Sequence, residues 1–415
     1  MMTKDQERAL QLAVEAGHIL LENGAEINRV EETMQRISSH YGVQEQSFFV
    51  LSNGIIATGE RYASAKFIPI RGMQLSRVTQ VNQLSRDVAA GSISLDQLEE
   101  RLQAIRRSKG KPWWELTLGV ALGVSSFCIL FGGSLVDAAA TFVCGVPLGL
   151  VMAFVSPHMS RIFGNLLGGM AGGLLCILAY QLSLLLSPAA PLHLPNMVIG
   201  TIIALVPGVP FTNGIRDLAN EDYIAGATRL LDAFLSFLCI AIGVMLSIIL
   251  HGALTGGLMQ LGAPGVDPVA AAWYIQLPAA FIGTLGFAAL FGVQRKYYLS
   301  SGLTGMLGWA LYILLMRDAS LSAAGSAFFA ALLVAMVSHL LSIVRRCPMT
   351  VFLICGIIPL VPGGGIFWTA YHLVADHLQM AVTTGFVALK VTIAIAGGII
   401  LATALTSRRL SRSGR

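Results

Sequence analysis

The sequence predicts an α-helical polytopic membrane protein with about ten transmembrane helices, arranged as two inverted five-helix repeats behind a small α/β cytoplasmic domain. Three observations carry that prediction. The 415 residues are 55% hydrophobic and only 12% charged, where a soluble domain carries about 25% charged residues. Most charges precede Lys111, and from Trp113 to Ser407 apolar stretches alternate with short connections. Within that apolar region a Leu-Val-Pro-Gly motif occurs twice.

The region before the first apolar stretch reads as a folded unit. Leu10, Val14, Gly17 and Leu21 form one helical stripe, and Ile27, Val30, Met34, Ile37 and Tyr41 form a second, with Gly24 between them. Short β-like runs follow at 47–52, 55–58 and 66–70, with Asn53-Gly54 as a turn between the first two. A helix is expected over 75–90, stopping at Gly91. Ser94 with Gln97 forms a capping box for a last helix through Leu98, Leu102 and Ile105. Chemistry is absent here: Glu31 and Glu32 point about 100° apart on a helix, and His18 and His40 lack metal-ligand spacing. The region therefore reads as a regulatory or assembly domain and not an enzyme, with no cofactor or metal expected.

Other classes are excluded on composition. The net charge of +5 sits at segment boundaries, with no Arg-rich run interleaved with aromatics, so nucleic acid is not a partner. The six cysteines lie in or beside apolar segments without a CxxC pair and read as small buried hydrophobes. The polar N-terminus lacks the apolar core of a signal peptide, so the first hydrophobic segment is expected to act as its own membrane signal. No GxxxxGK[ST] loop is present, which disfavours ATP drive.

A basic linker at 108–112 leads into Trp113-Trp114, placed like an interfacial anchor. Apolar runs long enough for about 30 Å of hydrocarbon are expected at 113–131, 136–155, 163–186, 195–211, 229–251, 269–292, 299–316, 321–343, 348–366 and 381–405. With the N-terminus inside, the cytoplasmic side receives the Arg106 to Lys111 cluster, Arg161, Arg216, Arg229, Arg295, Lys296, Arg345, Arg346 and the basic tail. The outer side receives only Arg317. That asymmetry places both termini in the cytoplasm.

Residues 202–208 (IIALVPG) and 357–363 (IIPLVPG) share a signature at an offset of 155, which also places Gly243 on Gly398. The chain then divides into 1–110, a first five-helix half at 111–252 and a second at 253–415. A unit with an odd number of spans reverses orientation when repeated, an architecture common among secondary transporters.

Paired Pro-Gly breaks inside hydrophobic segments free backbone groups that must face protein or water, so they mark a candidate binding site. The candidates are Pro207, Gly208, Phe211, Thr212, Asn213 and Arg216 from the first half, and Pro362, Gly363, Gly364, Thr369 and His372 from the second. Amide, hydroxyl and guanidinium donors suit a substrate carboxylate, and a resuming helix N-terminus adds N–H groups. Arg216 and Asp217 read equally as a solvated ion pair beside Glu221 and Asp222. Asp232 pairs with Arg229 at i−3, or approaches Lys390 and serves as a protonation site. Lys390, deep in the last segment, is a functional candidate unless it snorkels. Asp217, Asp232 and Lys390 are thus the coupling candidates.

Residues 16–37 (AGHILLENGAEINRVEETMQRI) resemble the opening of the threonine/serine exporter family's N-terminal domain. ALVPGVPFTNGIRDLANEDYIAGATRLLDAF (204–234) is similar to that family's central membrane motif, and PLVPGGGIFWTAYHLV (359–374) to the motif of its C-terminal membrane module. The resemblance covers nearly the whole chain and fits a single-chain form of a system that other bacteria make as two proteins. It implies a bacterial inner-membrane exporter of threonine and serine, driven by the proton gradient, with the lipid bilayer and a small molecule as partners and a homo-oligomer open. Relatives associated with dicarboxylate export keep that substrate as an alternative, and a passive metabolite channel is the other. The second motif lacks an Asn-Gly or Arg-Asp, so the halves are expected to contribute differently.

Overall fold

The computed structural model describes residues 3–43, 46–59, 62–68, 72–186, 192–219, 222–256 and 272–413. The chain forms two compact units. The first is Met1–Lys111 with two short pieces of later chain, Phe291–Arg295 and Ser342–Val351.

In this first unit α1 (Lys4–Glu22) starts at a Thr3–Gln6 capping box and α2 (Ile27–His40) follows a turn with Gly24 at φ 84°. A Cβ on Gly17 would lie 2.9 Å from Met34 Cγ and 3.1 Å from Ile55 Cδ1, so this glycine lets α1 settle onto α2 and the sheet. Strands β1 (Gln46–Leu51), β2 (Gly54–Gly59) and β3 (Tyr62–Phe67) form an antiparallel meander in which Val50 pairs with Ile55 and Ile56 with Ala65. Ile55 and Ala57 point into the core, while Phe49, Ile56 and Phe67 lie on the exposed face. The third strand begins earlier than the apolar run at 66–70 suggests, because pairing with β2 recruits Tyr62 to Ala65 as its polar-alternating half. Helices α3 (Leu75–Ala89) and α4 (Leu95–Arg107) complete the unit, and α4 carries the expected Ser94–Gln97 capping box. Arg8 on α1 holds Asp96 at 2.7 Å and Glu99 at 2.6 Å on α4. The start of α3 has no side-chain cap. Its Leu75 and Ser76 N–H groups donate instead to the carbonyls of Phe291 and Gly292, at 2.9 and 3.0 Å, which satisfies donors every helix leaves open at its N-terminus.

The second unit is Pro112–Leu290, Lys296–Leu341 and Phe352–Arg415. It holds α5 (Trp113–Leu130), α6 (Leu135–Leu150), α7 (Arg161–Leu186), α8 (Leu194–Ile202), α9 (Gly208–Ala219) and α10 (Tyr223–Thr255). The second half of the chain adds α11 (Trp273–Leu290), α12 (Tyr298–Arg317), α13 (Ala323–Arg345), α14 (Thr350–Ile357), α15 (Gly363–Val374) and α16 (Leu378–Ser413). The last turn of α13 and the start of α14 belong to the first unit. Among the described residues, eight helices are long and apolar enough to cross a membrane. A ninth crossing arises if α14 and α15, bent by 55° at their break, count as one span. The chain is therefore a multi-span membrane protein. The apolar run expected at 195–211 is not one continuous span: α8 and α9 have 9 and 12 residues, too short singly for about 30 Å at 1.5 Å per residue. Pro207 divides them. The connection between the spans expected at 229–251 and 269–292 lies largely outside the described residues.

Small residues set the helix spacing, as they do where helices pack in lipid without a hydrophobic drive. Gly119 and Gly286 bring α5 and α11 into backbone contact, and Gly145 and Gly149 seat α6 on Ala121 and Thr117 of α5. At Gly243 a Cβ would strike Leu166 O on α7 and lie 2.7 Å from Met170 N; at Gly398 it would strike Phe328 O on α13 and lie 3.0 Å from Leu332 N. Each glycine meets a carbonyl and the N–H four residues on, although the contacted residues are 162 positions apart and the glycines 155.

Gly243→Val and Gly398→Val should each lower stability by about 3 kcal/mol or more through overpacking. Gly397→Ala, which meets only the Phe328 ring at 3.4 Å, should stay within about 1 kcal/mol of wild type. Melting of the detergent-purified protein measures all three, and a tolerated valine at both sites would show that the helices do not pack this closely.

Candidate functional site

The two breaks have the same cause and the same hydrogen bonds. A proline offers no N–H and its ring excludes the carbonyl one turn back, so each helix ends before it. Val206 N–H donates to Ile203 O at 3.2 Å, Gly208 N–H to Val206 O at 2.9 Å and Phe211 N–H to Pro207 O at 3.1 Å. Shifted by 155, Val361 N–H donates to Ile358 O at 3.2 Å, Gly363 N–H to Val361 O at 2.7 Å and Ile366 N–H to Pro362 O at 3.0 Å. Pro362 has φ −76° and ψ 48°, the geometry of an inverse γ-turn. Each break is a three-residue turn followed at once by a new helix.

The breaks touch one another. A Cβ on Gly208 would collide with Val361 Cγ1, and one on Gly363 would lie 3.1 Å from Val206 Cγ1 and 2.6 Å from Ile203 Cδ1. Each glycine thus receives the valine two residues before its counterpart. Such reciprocity is what a twofold relation between the motifs produces. Pro207, Gly208, Gly363 and Gly364 are all buried. A Cβ on Gly364 would lie 3.3 Å from the Phe131 ring and 3.4 Å from Ile199 Cγ2.

Beyond the first break, Phe211 packs edge-on against Phe237 of α10 with ring centres 6.0 Å apart, and Asn213 is half-buried. The side chains of Thr212 and Arg216 lie outside the described residues. Asp217 is buried, and Arg229 Nη1 on α10 donates to its Oδ2 at 2.6 Å, with the two side chains 10% and 11% exposed. Asp217 is therefore buried and not solvated, and Arg229 is its partner among the described residues. Gly214 makes the arrangement geometrically feasible: a Cβ there would lie 3.1 Å from Gly226 O, so α9 and α10 run close enough for a short bridge.

Beyond the second break, Thr369 Oγ1 donates to Gly365 O at 2.8 Å and lies 3.1 Å from Thr384 Oγ1 on α16. Phe367, Trp368 and Tyr371 are buried. Trp368 and His372, one turn apart, stack with centres 5.5 Å apart and planes 26° apart. The Trp368 Nε1 and His372 Nδ1 atoms are buried without a hydrogen-bond partner among the described residues, and an unpaired buried polar group costs about 1–3 kcal/mol. The offset of 155 places Trp368 on Asn213 and His372 on Asp217, so the equivalent helix face bears different chemistry in each half.

The structure does not bring Asp232 to Lys390 or to Arg229. Asp232 is 57% exposed and lies 3.8 Å from Arg161 of α7, because Arg229 is turned toward Asp217. Lys390 is exposed on α16 between Phe386, Val387 and Ile393, which are also exposed, and among the described residues no ion pair reaches it. Sequence spacing misassigned Arg229 because its partner lies across the α9–α10 turn and not on its own helix. The i, i+4 spacing of Trp368 and His372 was the available signal for that pair.

A second carboxylate is fully engaged. Asp137, at the start of α6, accepts from Ser134 N–H and Oγ at 2.7 Å and from His193 N–H and Nδ1 at 2.8 and 2.9 Å. This knot ties the first turn of α6 to the entry of α8.

Comparison with known proteins agrees with this architecture. The family described as "Putative threonine/serine exporter" (ThrE) matches residues 11–251, and "Threonine/Serine exporter, ThrE" (ThrE_2) matches 276–405. The chain belongs to the threonine/serine exporter family. Within it, the "Threonine/serine exporter" of Corynebacterium glutamicum is 25% identical over 98% of this chain and 84% of its own length. The "Probable threonine/serine exporter" of Mycobacterium tuberculosis is 22% identical over 98% and 78%. The Escherichia coli protein named "Probable succinate transporter subunit YjjP" is 24% identical over 61% of this chain and 98% of its own length. No solved structure matches the chain.

For this exporter-family chain, Asp217→Ala should cost about 3 kcal/mol by leaving Arg229 buried and alone, and the double variant Asp217→Leu/Arg229→Met should recover most of it. Asp232→Asn removes a solvent-exposed pair and should cost under about 1 kcal/mol. Thermal melts of the three proteins give the comparison. Equal losses at Asp217 and Asp232 would show that the buried bridge carries no special weight.

Proposed function

We propose that this protein is a secondary active exporter of small polar, carboxylate-bearing metabolites, threonine and serine foremost, coupled to the proton gradient. The observation that carries the reading is the reciprocal seating of Val206 on Gly363 and Val361 on Gly208. Two broken helices meeting at their breaks give a pivot about which either side can open, while the freed backbone groups stay enclosed. Residues 111–252 and 253–415 are read as inverted repeats: each has three long helices, a broken pair and a long helix. On the charge argument both termini lie in the cytoplasm of a bacterial inner membrane.

Recognition follows from the Asp217–Arg229 pair. A zwitterionic amino acid presents an ammonium and a carboxylate, so it can insert into a buried ion pair and replace both halves: carboxylate on the guanidinium, ammonium on Asp217. Buried charges stay paired throughout, which limits the desolvation cost of entry. A proton on Asp217 removes the acceptor for the ammonium, so proton and substrate compete for one carboxylate. Competition of this kind is the minimal requirement for exchange transport. Asn213 and the helix N-termini at Gly208 and Gly363 add donors for the substrate carboxylate. Thr212, Arg216, Pro207, Phe211, Pro362, Thr369 and His372 remain lining candidates. Asp232, exposed and paired with Arg161, is less suited to coupling than Asp217, and Lys390 is left as a second coupling candidate. The named relative from Escherichia coli supports a second reading, dicarboxylate export, although a dianion would leave Asp217 facing like charge.

Efflux from proteoliposomes preloaded with amino acids or dicarboxylates, with and without an imposed pH gradient, tests this directly. Threonine and serine efflux should accelerate when the proton gradient opposes it, and Asp217→Asn should abolish the acceleration. Succinate efflux alone would transfer the reading to dicarboxylates, and efflux indifferent to the gradient would indicate a passive channel. Pro207→Ala and Gly363→Leu should reduce transport at least tenfold with membrane insertion retained; normal transport by both would make the breaks simple kinks. For orientation, a cysteine near Gly256 should be labelled from outside and one near Gln294 only from inside, and reversed labelling would end the inverted-repeat reading.

A further inference from the structure

The buried polar groups of the second unit fall into two kinds. Trp309 Nε1 donates to Gln276 Oε1 at 2.9 Å with both residues buried, and Asp137 accepts at both oxygens. These groups are satisfied by the protein itself. Trp368, like several buried hydroxyls of this unit, is not: it is 8% exposed, and its Nε1 has neither solvent nor an acceptor among the described residues. His372 Nδ1, one turn further on the same face, is equally sealed and unpaired. The rings stack on one another, and Tyr371 packs edge-on against Trp368 at 5.3 Å, so the indole is held by its neighbours. Native proteins seldom leave two adjacent buried polar atoms unpaired unless a ligand or water completes them.

The atoms also specify what they would accept. An indole N–H only donates, whereas a neutral imidazole nitrogen can accept. Donor beside acceptor complements a hydroxyl, which takes a hydrogen bond at its oxygen and gives one from its hydrogen. A carboxylate fits less well, because residues 348–375 contain no Lys or Arg to neutralise it. We propose that Trp368 and His372 form a subsite on the second broken helix that binds the hydroxyl of a small neutral substrate. Resting on the export reading for its substrate class, this subsite is separate from the Asp217–Arg229 pair, which would take the charged groups. It also accounts for the second half carrying indole and imidazole where the first carries amide and carboxylate. A hydrogen-bonding site of this sort discriminates against an isostere lacking the hydroxyl, because its own polar atoms would then remain unpaired.

The test compares threonine with valine, which matches its shape without the hydroxyl, in proteoliposomes bearing wild type, Trp368→Phe, His372→Phe or His372→Gln. Trp368→Phe and His372→Phe keep an aromatic ring and remove the polar atom. Each should reduce the threonine-to-valine efflux ratio about fivefold, while His372→Gln, which retains an acceptor, should recover some of it. An unchanged ratio in both phenylalanine variants overturns the proposal, as does a Trp368→Phe protein that melts higher than wild type with selectivity intact, since relief of an orphaned donor would then be the whole effect. If wild type transports none of the substrates, the export reading fails, and tryptophan fluorescence titrated with threonine decides the subsite alone. A threonine-induced change present in wild type and lost in both Trp368→Phe and His372→Phe supports it, and no difference between them sinks it.

Discussion

Backbone amides and carbonyls released by a proline inside a hydrophobic segment have no water to turn to, and this constraint shapes the second unit. At residues 206–208 and 361–363 the chain answers it locally with a tight turn, then with a new helix, and finally by covering each turn with the valine of the other. Everything around the breaks serves that enclosure. Close backbone approaches at Gly243 and Gly398 fix the long helices that flank them, and the buried aromatics of α15 pack into a core shared with α8 and α10. Because the covering residues come from opposite halves, neither break is complete without the other.

Much of this was readable in the residues. Hydropathy located the long helices, since a run of apolar side chains is an unambiguous signal at that length. Ser94 with Gln97 predicted a helix start correctly, because a capping box is a local arrangement. The 155-residue correspondence found the breaks and Gly243 with Gly398. Failures came where the answer depended on tertiary neighbours. Apolarity alone drew 195–211 as one span, and only the chain's path shows α8 and α9 as separate short helices. Arg229 was matched to Asp232 by helical spacing, but a turn brings Asp217 nearer. Placement within apolar segments made Asp232 and the deeper Lys390 functional candidates, and the fold leaves both exposed.

The polar groups of the second unit form a graded series. Asp137 has its oxygens occupied by Ser134 and His193 and acts as a fastener between α6 and α8. Asp217 and Arg229 satisfy each other's charge across the α9–α10 turn. Trp368 Nε1 and His372 Nδ1 have no partner among the described residues. Moving along the series, the protein's own structure accounts for less of the hydrogen bonding, which is the opening the proposed subsites use. The difference between fastening and binding thus lies less in residue type than in how many partners the fold has already supplied.

The mutual cover at the two breaks bears on how such a machine can be encoded. Val206 and Gly363 lie on opposite sides of the connection between α10 and α11, so a chain divided there would yield two polypeptides, each lacking half of its own interior. Their association would then be set by mass action, with folding of each fragment linked to the abundance of the other. Keeping both in one chain replaces that bimolecular step with an intramolecular one at high effective concentration. A single-chain form can therefore tolerate weaker contacts at the breaks, and hence freer motion there, than a two-polypeptide version expressed at low copy number.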